Sequence, residues 1–167
     1  MHNKLEPLWT EVFIGLGSNL DFPDLQVEQA ALELGLLPHT VLIEASSLYL
    51  SRPMGGLDQP PYINAVARLE TRLSAHTLLD GLHAIENAHG RERNKQQWSS
   101  RTLDLDILLY GNQRIQTSRL IVPHPGISKR EFVLYPLHEL DKSLMIPGLG
   151  TVSRIIQRCS PNGLIQL

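Results

Sequence analysis

The sequence is poor in sulfur and in aromatic rings. One cysteine, Cys159, in 167 residues excludes an internal disulfide framework and a multi-cysteine zinc site, and it suits a reducing, cytoplasmic setting. No charge of one sign dominates: 15 Lys+Arg against 17 Asp+Glu leave a net −2. The chain therefore has no global basic field to draw it to nucleic acid or to an anionic membrane, and neither is expected as a partner. No apolar run reaches membrane length, and the opening MHNKLEPLWTEVFIGLGSN lacks the basic-then-apolar order of a signal peptide. Internal repeats and low-complexity stretches are absent. There is no G-x-S-x-G elbow, and Cys159 has no histidine in its sequence context. Chemistry in such a chain rests on metal and positioning, with no covalent intermediate.

What is present describes an ordinary globular protein, 42% apolar and 19% charged, long enough to bury a real core as one domain spanning 1–167. Residues 1–9 read as a loose leader. Glu11–Leu16 reads as a strand ending in the turn-like GLGSNL. DFPDLQVEQAALELGLL reads as a helix, with Asp21 or Asp24 as cap, Pro23 in the first turn, and Leu25, Ala30, Leu32 and Leu36 as its stripe. TVLIEASSLYLS is a second strand, RPMGGLDQPPY a loop, and YINAVARLETRL a third strand with Ile63, Ala65, Ala67 and Leu69 on one face. SAHTLLDGLHAIENAHG is a helix capped by Ser74, striped by Leu78, Leu82 and Ile85, and stopped near Gly90. After the polar loop RERNKQQWSSR comes a fourth strand, TLDLDILLYG, and then an extended piece. SKREFVLYPLHEL is helical until Pro136 disturbs it, and TVSRIIQRC is a last short helix. The order strand–helix–strand–strand–helix–strand predicts an α+β fold, a ferredoxin-like βαββαβ sandwich with a mainly antiparallel sheet and a C-terminal extension. The same architecture serves many functions, so the site has to carry the functional argument.

The fourth strand is the unusual one. Residues i and i+2 of a strand share a face, so Asp104 and Asp106 lie side by side, roughly 6–7 Å apart along the backbone. Leu103, Leu105, Ile107 and Leu109 fill the other face. Two close carboxylates repel, and a divalent cation removes the conflict. Hard oxygen ligands suit Mg²⁺, which keeps several waters and is completed by substrate phosphates; two ions could share the pair. The plain alternative is a solvated strand face balanced by nearby bases. Between Arg91 and Arg101 stand four basic residues, Arg91, Arg93, Lys95 and Arg101, and one acid, Glu92. Cations beside a metal-binding pair make sense if a polyphosphate lies between them, because the arginine fork matches phosphate oxygens. Trp98 in that loop is either a plug or a platform for a flat ligand.

Other candidates are individually weaker. Tyr62 could stack on a heterocycle and Asn64 bond its edge, or both could simply end the loop. His83 and Glu86, three apart on one helix face, could reach a ribose hydroxyl or form plain helix surface. His124, held between Pro123 and Pro125, could donate to a phosphate or be a turn residue, with Arg130 and Phe132 close behind. GLGSNL lacks the full G-x-G-x-x-G pattern and is read as a turn at a pocket rim.

Five blocks occur together: FIGLGSNL, DQPPYINA, IENAHGRER, W..RTLDLDILLYG and VPHPGISKREFVLYPL. In this order and spacing the chain resembles the 6-hydroxymethyl-7,8-dihydropterin pyrophosphokinases, from about Val12 to Ile156. The resemblance implies transfer of a pyrophosphoryl group from ATP to the pterin hydroxymethyl group, with release of AMP, in folate biosynthesis. It implies that Asp104 and Asp106 hold two Mg²⁺ and that Arg91 and Arg101 contact the phosphates. His124 and Arg130 would add phosphate contacts, while His83, Glu86, Arg93, Ile107 and Arg119 would line the ATP site and Trp98 would close over it. The pterin would lie between Tyr62 and Phe132, read by Asn64 and by the backbone near Ser51, Arg52 and Met54. The chain departs from the family pattern at Ser99-Ser100, where Gly-Pro or Gly-Ala is usual, at Gln97, where a base is common, at His83, where glutamine is frequent, and at Pro125, where an aromatic is sometimes seen.

Three rival readings remain open on sequence. One is another metal-dependent nucleotide transferase using the D-x-D pair. The second is a non-catalytic ferredoxin-like binding module. The third is a catalytically impaired homologue that binds ligand without turnover. A monomer is expected, since no long apolar surface stripe is left over.

Overall fold

The computed structural model describes residues 7–56, 58–90 and 102–167. Alternating apolar and small residues make β1 (Thr10–Ser18) the centre of a sheet. It pairs antiparallel with β4 (Tyr62–Thr71) on one side and with β5 (Asp104–Tyr110) on the other. The far edge of β4 is covered by a strand in two pieces, β2 (Thr40–Ala45) and β3 (Tyr49–Ser51). The predicted second strand is thus broken, because Ser46 turns its hydroxyl to the Val66 N–H, 2.9 Å away. With α1 (Pro23–Leu34) after β1 and α2 (Ala75–Ala88) after β4, the described residues give the expected βαββαβ order and an all-antiparallel sheet.

The rest of the chain closes around this sheet. A small hairpin, β6 (Ile115–Gln116) and β7 (Ile121–Val122), runs beyond β5. Then come α3 (Glu131–Leu140), the hairpin β8 (Met145–Ile146) and β9 (Gly150–Thr151), α4 (Val152–Ile156), and β10 (Ile165–Gln166), which adds to β3. Helices α1 and α2 pack on one sheet face through Val27, Leu34, Leu78 and Leu82 against Ile14, Leu16, Ala65 and Ile107. Each such fully buried leucine contributes roughly 1.5–3 kcal/mol. Helices α3 and α4 cover part of the other face, over Phe13, Val66 and Leu108. No helix among the described residues is long and apolar enough to cross a membrane.

Four local expectations change. Helix α1 buries Val27, Ala30, Ala31 and Leu34, leaving Leu25, Leu32 and Leu36 exposed. Both sets have helical spacing, and the small Ala30 and Ala31 allow the closer approach to the sheet. Its cap is Phe22, in the left-handed region and, lacking a polar side chain, without a side-chain cap bond. The register of β1 and β5 slips between Phe13↔Leu109 and Ile14↔Ile107. This bulge puts Leu109 with Leu108 in the second core cluster, away from Leu103, Leu105 and Ile107. Helix α3 continues through Pro136 to Leu140; the ring forfeits one bond to the Phe132 carbonyl but is buried in return.

Candidate active site

The site grows out of the second sheet face, where side chains run out. Along β1 that face reads Phe13, Gly15, Gly17. Phe13 is 1% exposed beneath the helices. Beyond it, Gly15 is the register partner of Val66 on β4 and Asp106 on β5, and Gly17 that of Asn64 and Asp104. The GLG of the sequence therefore lies inside a strand, and the turn expected there begins only after Ser18. Glycine inside a strand gives up packing and propensity, and it marks a place where something approaches the backbone closely.

Over these glycines opens a cavity of about 270 Å³. All six residues expected to hold a pterin, Ser51, Arg52, Met54, Tyr62, Asn64 and Phe132, line it. Asn64, 4% exposed, donates from Nδ2 to Ser51 Oγ (2.8 Å) and to the Tyr49 carbonyl (3.3 Å). Its Oδ1 lies on the side of Gly17, 3.4 Å from where a Cβ on that glycine would stand. Tyr62, Met54 and Phe132 line the cavity as well, and Ser51 is buried beside Asn64. Arg52 lines the mouth. The 51–65 segment and the start of α3 thus bring Tyr62 and Phe132 to one cavity that Gly15 and Gly17 also line.

Asp104 and Asp106 border this cavity and also a second one of about 350 Å³ on the α2 side of β5. His83, Glu86, Ile107 and Arg119 line the second cavity. Arg130 faces the first cavity instead. It caps the start of α3 and lies across Gly126, where a Cβ would come within 2.6 Å of its Nε. Its guanidinium carbon is 5.9 Å from the centre of the Phe132 ring. Arg91, Arg93, Trp98 and Arg101 lie outside the described residues.

His124 borders both cavities. Its backbone N–H donates to the Leu108 carbonyl (3.0 Å), fastening it to the edge of β5. The Gly126 N–H donates to its Nδ1 at 3.0 Å, so the ring proton sits on Nε2, 3.8 Å from Asp106 Oδ2. Burial, with the Arg130 charge adding to it and Asp104 opposing, pushes its pKa down to about 4. The ring is therefore neutral at pH 7, and its approach to Asp106 is that of a dipole to an anion, too long for a hydrogen bond. A neutral Nε2–H aimed into the space between the cavities is a donor for an anionic group.

Glu86 does something the sequence did not suggest. It is 1% exposed and accepts the Leu105 N–H at 2.8 Å. Leu105 stands between the two aspartates on the sheet's outer strand, so Glu86 fixes the backbone that presents them. Around the mouth of the second cavity, Arg119 pairs with Asp80 on α2 (2.5 Å) and His76 meets Thr117 Oγ1 (3.0 Å). These two contacts tie the β6–β7 hairpin to α2. Sequence reading also missed Gly15 and Gly17; the signal was present, as two glycines alternating with apolar residues in a β-run.

As a donor set, the described residues offer two hard carboxylates and no group of three His, Cys, Asp or Glu able to hold a metal. That suits a cation finished by water and phosphate, such as Mg²⁺.

A curated 2-amino-4-hydroxy-6-hydroxymethyldihydropteridine pyrophosphokinase of Haemophilus influenzae is 45% identical over 155 residues, covering 93% of this chain and 96% of that protein. One from Pseudomonas aeruginosa is 44% identical over 156 residues, with the same coverage. The fold is similar to that of Plasmodium falciparum HPPK-DHPS solved with pteroate, at a TM-score of 0.73 and 13% identity, over 93% of this chain. The chain spans less than half, 43%, of that longer protein, and the likeness concerns the fold alone. The sequence profile of the 7,8-dihydro-6-hydroxymethylpterin-pyrophosphokinase (HPPK) family matches residues 13–142, so the chain belongs to the HPPK family.

Proposed function

We propose that the first cavity takes 6-hydroxymethyl-7,8-dihydropterin, the second takes ATP, and the pyrophosphoryl group crosses between them over Asp104 and Asp106. As a member of the HPPK family the chain is an ATP-dependent pyrophosphokinase of folate biosynthesis. The observation that carries the division of labour is that Asp104, Asp106 and His124 border both cavities. A group moving from one ligand to the other has to pass this line.

In the reaction the pterin hydroxymethyl oxygen forms a bond to the β-phosphorus of ATP. The bond from that phosphorus to the α,β-bridging oxygen breaks, AMP leaves, and the hydroxyl proton is lost. Two Mg²⁺ on Asp104 and Asp106 would neutralise triphosphate charge and so lower the barrier to attack. The protein's own share is positioning. Tyr62 and Phe132 hold the ring between them, Asn64 bonds its edge, and the missing side chains of Gly15 and Gly17 let it lie on the strand. His124 and Arg130 receive phosphate oxygens, the first as a neutral donor and the second as a cation. Glu86 keeps the Asp104–Asp106 backbone in register. Such transfer draws mainly on orientation and fixed electrostatics. Arg91 and Arg101 are proposed as further phosphate contacts, Arg93 and Trp98 as parts of the nucleotide site. We read the chain as one catalytic unit over 1–167, a cytoplasmic monomer that engages neither nucleic acid nor membrane.

The test is product analysis. With Mg-ATP and the pterin, pterin-dependent AMP should appear in equal amount to a pyrophosphorylated pterin. Asp104→Ala should lower kcat by orders of magnitude while both ligands still bind. ADP as product, or full turnover by the variant, would overturn the assignment.

A further inference from the structure

The last strand pairs with the strand that leads into the first cavity. Ile165 and Gln166 of β10 align with Leu50 and Tyr49 of β3, the Leu167 N–H donates to the Leu48 carbonyl (2.9 Å), and Gln166 Nε2 donates to Ser47 Oγ (3.1 Å). The segment reaches that edge through a tight turn, Pro161-Asn162-Gly163-Leu164, closed by the Leu164 N–H on the Pro161 carbonyl at 2.8 Å. Asn162 (φ 48°) and Gly163 (φ 77°) are both left-handed, the pattern of a type I′ turn. Gly163 meets a second requirement. A Cβ there would lie 3.3 Å from Cζ, Nε and Nη2 of Arg52 alike, so the flat guanidinium rests face-on against the glycine. Arg52 follows β3 directly and lines the first cavity with Ser51, Met54 and Tyr62. The turn at 161–164 and β10 lie beyond residue 142, where the family match ends, while Arg52 and β3 lie within it.

We propose that the C-terminal turn and β10 are a positioning element of the pterin site, with Gly163 seating Arg52 at the cavity mouth. The inference rests on the reading of the first cavity as the pterin site. An exposed arginine has many rotamers to lose on ligand binding. Held flat on a rigid turn, its stem becomes a fixed wall for a planar heterocycle, and its donors are pre-aimed. A methyl at Gly163 presses on the guanidinium, which must give by a few tenths of an ångström, and it adds strain at a left-handed position.

The experiment is a steady-state comparison of wild type, Gly163→Ala, Arg52→Ala, the double variant, and Phe132→Ala as a marker of the pterin site, with melting curves for each. Gly163→Asn serves if the alanine variant folds poorly, since asparagine tolerates the left-handed region. The expected result is a pterin KM raised about tenfold by Gly163→Ala, the order of effect of a displaced wall, with ATP KM unmoved. The double variant should be no worse than Arg52→Ala alone, since both changes act through one contact. If Phe132→Ala raises the pterin KM and Gly163→Ala does not, the positioning role is overturned and the site reading stands. Additive effects of Gly163→Ala and Arg52→Ala would also overturn it. If Phe132→Ala leaves the pterin KM unchanged, the cavity assignment fails, and the inference with it.

Discussion

Replacing Gly17 by alanine should make the protein more stable and much less active. Gly17 lies outside the left-handed region, and a Cβ built on it would meet only Asn64 Oδ1 at 3.4 Å and Tyr62 Cδ1 at 4.0 Å. Those are ordinary contacts, so the fold accommodates the methyl without strain. Removing glycine's freedom from the unfolded chain then stabilises by about 0.4–1 kcal/mol. For a chain of this length that is a rise of about 1–4 °C in Tm. The same methyl stands in the row Asn64–Gly17–Asp104 that lines the first cavity, where the proposed pterin site needs bare backbone. A ligand lifted by about 1 Å loses on the order of a hundredfold in rate, about 2.7 kcal/mol of transition-state stabilisation. Calorimetry and steady-state kinetics on the same preparation read both quantities. A variant with higher Tm and unchanged kcat/KM would refute the reasoning, because the substrate could not then cross this row.

Further outcomes follow from single contacts. Gly126→Ala places a Cβ within 2.6 Å of Arg130 Nε, so the guanidinium must swing away; kcat should fall about tenfold, or ~1.4 kcal/mol, with the melting curve unchanged. Asp80→Asn releases Arg119 at the rim of the second cavity, and the ATP KM should rise several-fold while the pterin KM holds. Burial would raise the Glu139 pKa above its ordinary value, but hydrogen bonds from Tyr49 OH (2.6 Å) and from the Ser47 N–H and hydroxyl outweigh it and leave the group lowered. A carboxylate lowered on folding contributes stability that is present above its unfolded value, near 4.5, and is lost as pH falls through the folded one. Glu139→Gln should therefore flatten the acid limb of denaturation midpoints measured from pH 7 to 3. A limb parallel to wild type would remove Glu139 from the account.

Much of this architecture is legible in the residues themselves. The i, i+2 rule alone puts Asp104 and Asp106 on one face, and the Ser74 cap and the Leu78, Leu82, Ile85 stripe fix α2 as observed. What periodicity cannot decide is which of two equally spaced stripes is buried. Leu25, Leu32 and Leu36 look like the core face of α1, yet the sheet takes the one with two alanines because it lets the backbones approach. Nor does a sequence announce a bulge: one extra residue in β5 moves Leu109 to the other face. GLGSN reads as a turn because glycine usually ends strands. Here Gly15 and Gly17 stay inside one, and only the strand pairing shows that they face the two aspartates. The two cavities were separable in sequence only through family resemblance, since their lining comes from six distant segments.

Glu86 shows how carboxylates on neighbouring elements can act in opposite ways. Three acids gather at the outer strand, and acids at such spacing destabilise one another unless each has a separate task. Asp104 and Asp106 face the cavities, where cations and phosphate can balance them. Glu86 points inward from α2, is 1% exposed, and meets the Leu105 N–H at 2.8 Å. That N–H is one of the donors an edge strand leaves without a sheet partner. A carboxylate is the strongest acceptor available for it, and the bond holds the residue between the two aspartates at a fixed distance from α2. The helix that lines the second cavity thereby sets the height of the carboxylates. Glu86 also lines the second cavity, so its support of the D-x-D strand through one carboxylate oxygen stands beside the nucleotide contact that the family resemblance implies.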